Sequence, residues 1–279
     1  MKVAQAIREA ALRLSATSET ARLDAELLMA NALGVGRSQM LLRCADQAVP
    51  PRFCDLVTRR EAHEPVAYIL GEQEFFGRTF KVTPDTLIPR SDSESVVQAA
   101  LDALNGVEAG SVLDLGTGTG ALLLTLLAER PDLCGRGIDR SDAAIGVARQ
   151  NAEVLGLSHR ASFEHRAWFS GLDEYGRGWE HGLGPVDLVI ANPPYVETTA
   201  QLAPGVMGFE PHDALFAGPD GLDDYRILIP GLARIACKVA VLEIGATQAE
   251  ALTELAEKDG FRVQLRRDLA NRPRALILS

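Results

Sequence analysis

The sequence predicts an α/β protein built around a parallel, doubly wound sheet of seven strands with a hairpin at its last pair, preceded by a small helical bundle. Three observations carry this. Residues 1–70 show helical periodicity and few strand signals. Residues 71–89 alternate around a glycine, which predicts a β-hairpin linker. From Ser111 onward strand-like and helix-like stretches take turns, as repeated βα units do, so residues 90–279 form the second domain.

Taken in order, Val3, Ala6, Ile7, Ala10, Ala11 and Leu14 recur at three and four residues until Ser15 to Ser18 break the pattern. A second helix begins near Thr20 and stops at Gly34; shorter ones follow over 37–42 and 51–62. Ser91 and Asp92 are expected to cap a helix that carries Val96, Val97, Ala100, Leu101 and Leu104. Strands are expected at 112–115, 133–138, 161–165, 186–191, 238–244, 262–265 and 274–278. Helices are expected over 121–129, 142–155, 222–235 and 248–258. The glycine-rich stretch from Gly171 to Gly184 is expected to be a surface loop.

A chain of 279 residues, 47% hydrophobic and 24% charged, can bury a sizeable core and has the composition of a soluble globular enzyme. No apolar run approaches the length of a membrane span and no signal peptide opens the chain, so a cytoplasmic protein without membrane contact is expected. A formal charge of −10 argues against broad contact with a phosphate backbone, and no direct nucleic-acid partner is expected. Cys44, Cys54, Cys134 and Cys237 lack C-x-x-C spacing, and the five histidines form no H-E-x-x-H, so no metal is assigned.

Two stretches carry chemistry. Gly116-Thr117-Gly118-Thr119-Gly120 lies between a strand and the helix it opens, where glycine lets a ligand approach the backbone. Gly116, Gly118 and Ala121 satisfy G-x-G-x-x-G/A, and Asp139 lies where a ribose-binding acid is expected, so a nicotinamide dinucleotide has to be weighed. The second stretch is Asn192-Pro193-Pro194-Tyr195, which follows an apolar strand. The prolines cannot donate to a ladder and they stiffen the chain, so Asn192 sits at the rim of the sheet. Asn192 Oδ1 and the Pro193 carbonyl can accept the two hydrogens of a planar NH2 group, and Tyr195 can cover its face. Asp114 just before the glycines, the extra glycine at Gly120, and an amide site unsuited to proton exchange with an alcohol together favour S-adenosylmethionine over a dinucleotide.

These motifs resemble the release-factor glutamine methyltransferase family, PrmC or HemK, through almost the whole chain. The resemblance rests on Glu74-Phe-Phe-Gly77, Leu87-Ile-Pro-Arg90 with Glu94, Asp114 to Gly120, Trp168-Phe169, Asn192-Pro-Pro-Tyr195, Phe209-Glu-Pro211, Gly221-Leu222, Leu242-Glu-Ile-Gly245 and Asp268-Leu-Ala270. It implies a seven-stranded Rossmann-like methyltransferase sheet with an N-terminal helical domain for substrate docking. It also implies methyl transfer from S-adenosyl-L-methionine to the glutamine amide nitrogen in the Gly-Gly-Gln motif of a peptide chain release factor, with S-adenosyl-L-homocysteine as product. By resemblance Gly116, Thr117, Gly118, Thr119, Gly120, Asp139 and Trp168 hold the cofactor, with Asn192 at the junction. Asn192, Pro193, Pro194 and Tyr195 grip the glutamine, and catalysis is assigned to Asn192, Pro193 and Tyr195. A monomer is expected.

The chain departs from the family pattern in places. Ala167 stands where an Asp often precedes Trp168, Ser91 and Ser93 replace a proline and a threonine, and Cys237-Lys238 replaces two glycines. Three rival readings share these residues: a ribosomal-protein glutamine as substrate, an adenine amino group of nucleic acid, or a cofactor-binding partner of release factors without turnover.

Overall fold

A computed structural model of the chain describes residues 1–106, 108, 110–169 and 177–279. These form two compact units, Met1–Gln73 with Leu202–Glu210, and Glu74–Gln201 with Pro211–Ser279. In the first unit, α1 (Val3–Leu14), α2 (Ala21–Leu33), α3 (Arg37–Arg43), α4 (Arg52–Glu61) and α5 (Val66–Leu70) follow one another. Ile7 and Leu14 of α1, Leu28 and Met29 of α2, and Phe53 of α4 close on one core, each burial contributing about 1.5–3 kcal/mol. α2 ends at Gly34, where the Val35 N–H donates back to the Ala30 carbonyl. Its buried Asp24 pairs with Arg60, and its buried Glu26 with Arg22 and Arg37. Either carboxylate left alone in that core would be strongly destabilising.

β1 (Glu72–Phe75) and β2 (Arg78–Lys81) make the expected hairpin. Its turn residues Phe76 and Gly77 both have positive φ, 50° and 71°, the mirror-image turn that suits the twist of paired strands. The Glu94 carboxylate accepts the Phe76 N–H at 2.9 Å and steadies that conformation.

The rest alternates as the sequence predicts: α6 (Glu94–Ala103), β3 (Gly110–Leu115), α7 (Ala121–Glu129), β4 (Leu133–Asp139), α8 (Asp142–Val154), β5 (Ala161–His165) and β6 (Val186–Ala191). Then come α9 (Pro204–Phe209), which belongs to the first unit, α10 (Asp223–Leu232), β7 (Cys237–Glu243), α11 (Ala249–Lys258), β8 (Val263–Arg267) and β9 (Pro273–Leu278). The seven-stranded sheet has the order β5-β4-β3-β6-β7-β9-β8. Alternation sends Leu188, Ile190 and Val241 to the face packed by α6, α7 and α8. Val189, Ala191 and Leu242 go to the face packed by α10 and α11. Burial on both faces is what a continuous apolar run such as 188–191 signals.

Three expectations are revised, and two short helices are added. The sheet is mixed: the final hairpin forms, but β9 inserts antiparallel between β7 and β8, because the short connection from Arg267 to Pro273 cannot make a parallel crossover. Ser91 and Asp92 cap nothing; they lie in a 3-10 turn, and Asp92 pairs instead with the buried guanidinium of Arg274 at 2.8 Å. Within the stretch from Gly171 to Gly184, residues 171–176 lie outside the described residues, while Trp179 and Leu183 are core side chains rather than surface loop. α5 and α9, at five and six residues, are too short for periodicity to reveal.

Asn151 of α8 ties the hairpin to the sheet. Its Nδ2 donates to the carbonyls of Lys81 and Thr119, and its Oδ1 accepts the Lys81 N–H at 2.7 Å. Asn151→Leu keeps the branched shape and heavy-atom count but strands these groups, and is expected to cost about 3 kcal/mol, read as a lowered urea midpoint.

Two buried carboxyls set the pH response. Burial pushes both Asp114 and Glu243 up to about 7, opposed at Asp114 by the Thr117 hydrogen bond and at Glu243 by the Arg274 charge and the Tyr195 hydroxyl. The unfolded chain sheds these protons near the ordinary carboxyl value of about 4. Between those values the folded chain binds more protons, so the stability they contribute is complete at lower pH and is lost as pH rises through 7. Urea midpoints measured across that window should fall with rising pH in the native chain, and less so in an Asp114→Asn, Glu243→Gln double variant.

Candidate active site

Parallel strands bring their carboxyl ends to one edge of the sheet, so the turns leaving β3, β4 and β6 gather there. Because β3 lies between β4 and β6, the strand order reverses at this point and leaves a crevice. A cavity of about 620 Å3 opens here. Gly116, Thr117, Gly118 and Thr119 line it after β3, Asp139 at the end of β4, Trp168 after β5, and Asn192 and Pro194 after β6. Of the residues singled out in the sequence, Gly120, Pro193 and Tyr195 are not in its lining.

The glycine turn is fixed from within. Gly116 and Thr117 both donate to the Ile138 carbonyl, Gly118 donates to Asp139 Oδ2 at 2.9 Å, and Gly120 donates to Thr117. Few of its amides are therefore free to cradle a pyrophosphate. Gly116 has φ 72°, and a Cβ there would stand 3.1 Å from the Trp168 ring, so any side chain would be both strained and crowded.

The charge beneath the turn is negative. Asp114 is buried, and its Oδ2 accepts the Thr117 hydroxyl at 2.6 Å. Desolvation raises its pKa and the neighbouring Asp139 raises it further. Asp139 accepts from Gly118 on one oxygen and from the Ser141 N–H on the other, which fixes its plane and leaves lone pairs for a ligand. This surface repels an anion and welcomes a cation.

Trp168 is held by its indole N–H, which donates to Asp224 Oδ1 at 2.6 Å. Half-burial raises the Asp224 carboxyl above its ordinary value, and the indole bond opposes that rise. Asn192 is half-buried, and among the described residues its carboxamide has no hydrogen-bond partner, nor has the Pro193 carbonyl. Pro193 itself is buried. Tyr195 points elsewhere: its hydroxyl donates to Glu243 Oε1 at 3.3 Å and its ring packs on the core under α10 and α11. Burial and then the Glu243 carboxylate push its phenol well above the usual value.

Sequence reasoning missed several lining residues. Thr86, Leu87, Pro89 and Arg90 form one wall, while Arg140 pairs with Asp213 at 2.6 Å on another. The motif Leu87-Ile-Pro-Arg90 was visible as a string, but nothing in it says that it faces the glycine turn. Asp224 had no signal, since its partner Trp168 lies 56 residues away.

Residues 5–71 match the family model of the PrmC N-terminal domain, and residues 107–210 match a model described as a methyltransferase domain. Release factor glutamine methyltransferases are similar to this chain over nearly its whole length. The one from Cereibacter sphaeroides is 40% identical, covering 98% of this chain and 97% of that one. Those from Burkholderia pseudomallei and Moorella thermoacetica are 41% and 38% identical, covering 91% and 99% of this chain and 90% and 98% of theirs. Among solved structures, the hMettl16 catalytic domain in complex with the MAT2A 3′UTR hairpin 6 superimposes with a TM-score of 0.56 over 82% of this chain and 93% of that one. At 14% identity that likeness speaks for the fold alone. With this sheet, a methyltransferase domain and full-length relatives near 40% identity, the chain belongs to the release factor glutamine methyltransferase family.

Proposed function

We propose that this chain methylates the side-chain amide nitrogen of the glutamine in the Gly-Gly-Gln motif of a peptide chain release factor, converting S-adenosyl-L-methionine to S-adenosyl-L-homocysteine. The observation that carries the reading is the Asn192 carboxamide, without a hydrogen-bond partner among the described residues, on the wall of a cavity whose glycine turn is underlain by Asp114 and Asp139.

The residues suit the cofactor. An acidic turn with few free amides favours a sulfonium over a pyrophosphate, the remaining lone pairs of Asp139 suit ribose hydroxyls, and the Trp168 indole offers an apolar face. When bound, S-adenosyl-L-methionine supplies an electrophilic methyl group. The work of the chain is to present the nucleophile. An amide nitrogen is weak because its lone pair is shared with the carbonyl. Asn192 Oδ1 and the Pro193 carbonyl accept the two hydrogens of the glutamine NH2, hold the nitrogen in line, and stabilise the positive charge that grows on it. The nitrogen then loses a proton to water. The net charge of −10 favours a protein loop over nucleic acid as substrate, and a translation factor as substrate implies a cytoplasmic enzyme.

Asn192→Ala removes one of two preorganised acceptors. Turnover of a release factor is expected to fall on the order of a hundred- to a thousand-fold. Calorimetric binding of S-adenosyl-L-homocysteine should be preserved, and undiminished turnover would rule out the role given to Asn192. Gly116→Ala should do the reverse, weakening S-adenosyl-L-homocysteine binding at least about tenfold, because the new methyl group must displace the Trp168 ring or the turn.

A further inference from the structure

Asn192 and Pro193 must be aimed by the structure around them. Among the described residues their acceptor groups have no hydrogen-bond partners, so their direction is inherited from the chain on either side. Upstream, Ala191 is locked in the β6 ladder between Leu115 and Leu242. Downstream, the next fixed point is Tyr195.

Gln248 holds that point. It stands at the head of α11, and its Nε2 donates to the Tyr195 carbonyl at 3.0 Å and to the Gly221 carbonyl at 3.1 Å. Its Oε1 accepts the Gly245 N–H at 2.9 Å. Both amide hydrogens and the amide oxygen are thus spent on three backbone segments distant in sequence. The fit is close: Gly221 has φ 71°, and a Cβ there would lie 2.3 Å from the Tyr195 carbonyl oxygen, while one at Gly245 would lie 2.8 Å from Gln248 Oε1. The same stretch is secured further on, where Val196 donates to Leu215 and accepts from Ala217, and sideways by the Tyr195 hydroxyl on Glu243.

We infer that Gln248 is a positioning residue for methyl transfer: by pinning the Tyr195 carbonyl to the β7–α11 connection it sets the direction in which Asn192 Oδ1 and the Pro193 carbonyl point. The inference rests on the reading that these two acceptors hold the reacting amide. Gln248 touches neither substrate nor cofactor. It acts on the nucleophile's geometry and leaves cofactor binding alone.

The test compares Gln248→Met, similar in length but without strong donors, and Gln248→Glu with the native chain. For Gln248→Met, kcat on a release factor should fall roughly ten- to a hundred-fold, as expected of a misplacement near 1 Å. Its S-adenosyl-L-homocysteine dissociation constant should stay within about twofold, well under the tenfold that 1.4 kcal/mol would bring. Amide hydrogen exchange across residues 192–197 should quicken about tenfold or more while β6 stays protected. The Gln248→Glu carboxylate can donate to neither carbonyl, whereas its protonated form donates to one of them, so its rate relative to the native chain should rise in part as pH is lowered. A purely structural contact would lower the melting temperature without that pH signature. Native kcat in Gln248→Met, or unchanged exchange across 192–197, overturns the inference. Exchange reads the anchor without turnover, so a failure of the anchor stays distinct from a failure of the proposed reaction, which Asn192→Ala reports.

Discussion

The parallel pairing of β3 with both β4 and β6 is the constraint on which the rest depends. It aligns three carboxyl ends, so Gly116, Asp139 and Asn192, far apart in the chain, leave the sheet at the same edge. It also supplies the carbonyl of Ile138, which receives both Gly116 and Thr117 and so closes the glycine turn against β4. Were β4 to slip by one residue, that carbonyl would point to the opposite neighbouring strand and Asp139 would leave the turn. Gly135 and Gly137 of β4 oppose such a slip, because a Cβ in those places would lie 2.4 Å from Leu123 or 2.6 Å from the Thr117 hydroxyl, and a slip would put a side chain there.

A fold that buries Asp114 and Glu243 gives up stability to do so, since desolvation of a carboxylate costs far more than one hydrogen bond returns. Each is placed where loss of its bonds would loosen a turn at the cavity edge. Asp114 holds the Thr117 hydroxyl at the head of the glycine turn; Glu243 holds the Tyr195 hydroxyl behind the proline turn, and its backbone carbonyl takes the Tyr225 hydroxyl at 2.6 Å. These carboxyls trade bulk stability for rigidity at the two turns that carry the candidate site.

Most of the fold was legible because it is local. Strands and helices of the sheet announce themselves by period, and Gly34 and Gly77 mark their turns without help from distant residues. What escaped was set by partners far away. Asp92 looked like a cap because its neighbours are a helix start, yet the buried charge of Arg274 outbids a cap. Trp179 falls in the glycine-rich stretch expected as a surface loop, yet it packs so closely on α10 that a Cβ at Gly231 would stand 2.3 Å from its ring. The site divides the same way. Gly116, Asp139 and Asn192 could be read from strand ends, whereas Asp224 and Gln248 could not, because a side-chain hydrogen bond to a partner remote in sequence leaves no periodic trace.

An amide nitrogen becomes a nucleophile only if its hydrogens are held while its lone pair is turned outward. A side-chain acceptor that does this must be bare before the substrate arrives, which is least costly where water reaches it, as at half-exposed Asn192. Water that solvates it must leave when a glutamine enters, and the gain then depends on the acceptors already facing the right way. A flexible turn would spend that gain on its own ordering. Two consecutive prolines, a ladder on one side and the Tyr195 carbonyl fixed on the other remove that cost beforehand. The rigidity of the turn is therefore as much a part of the chemistry as the carboxamide it carries.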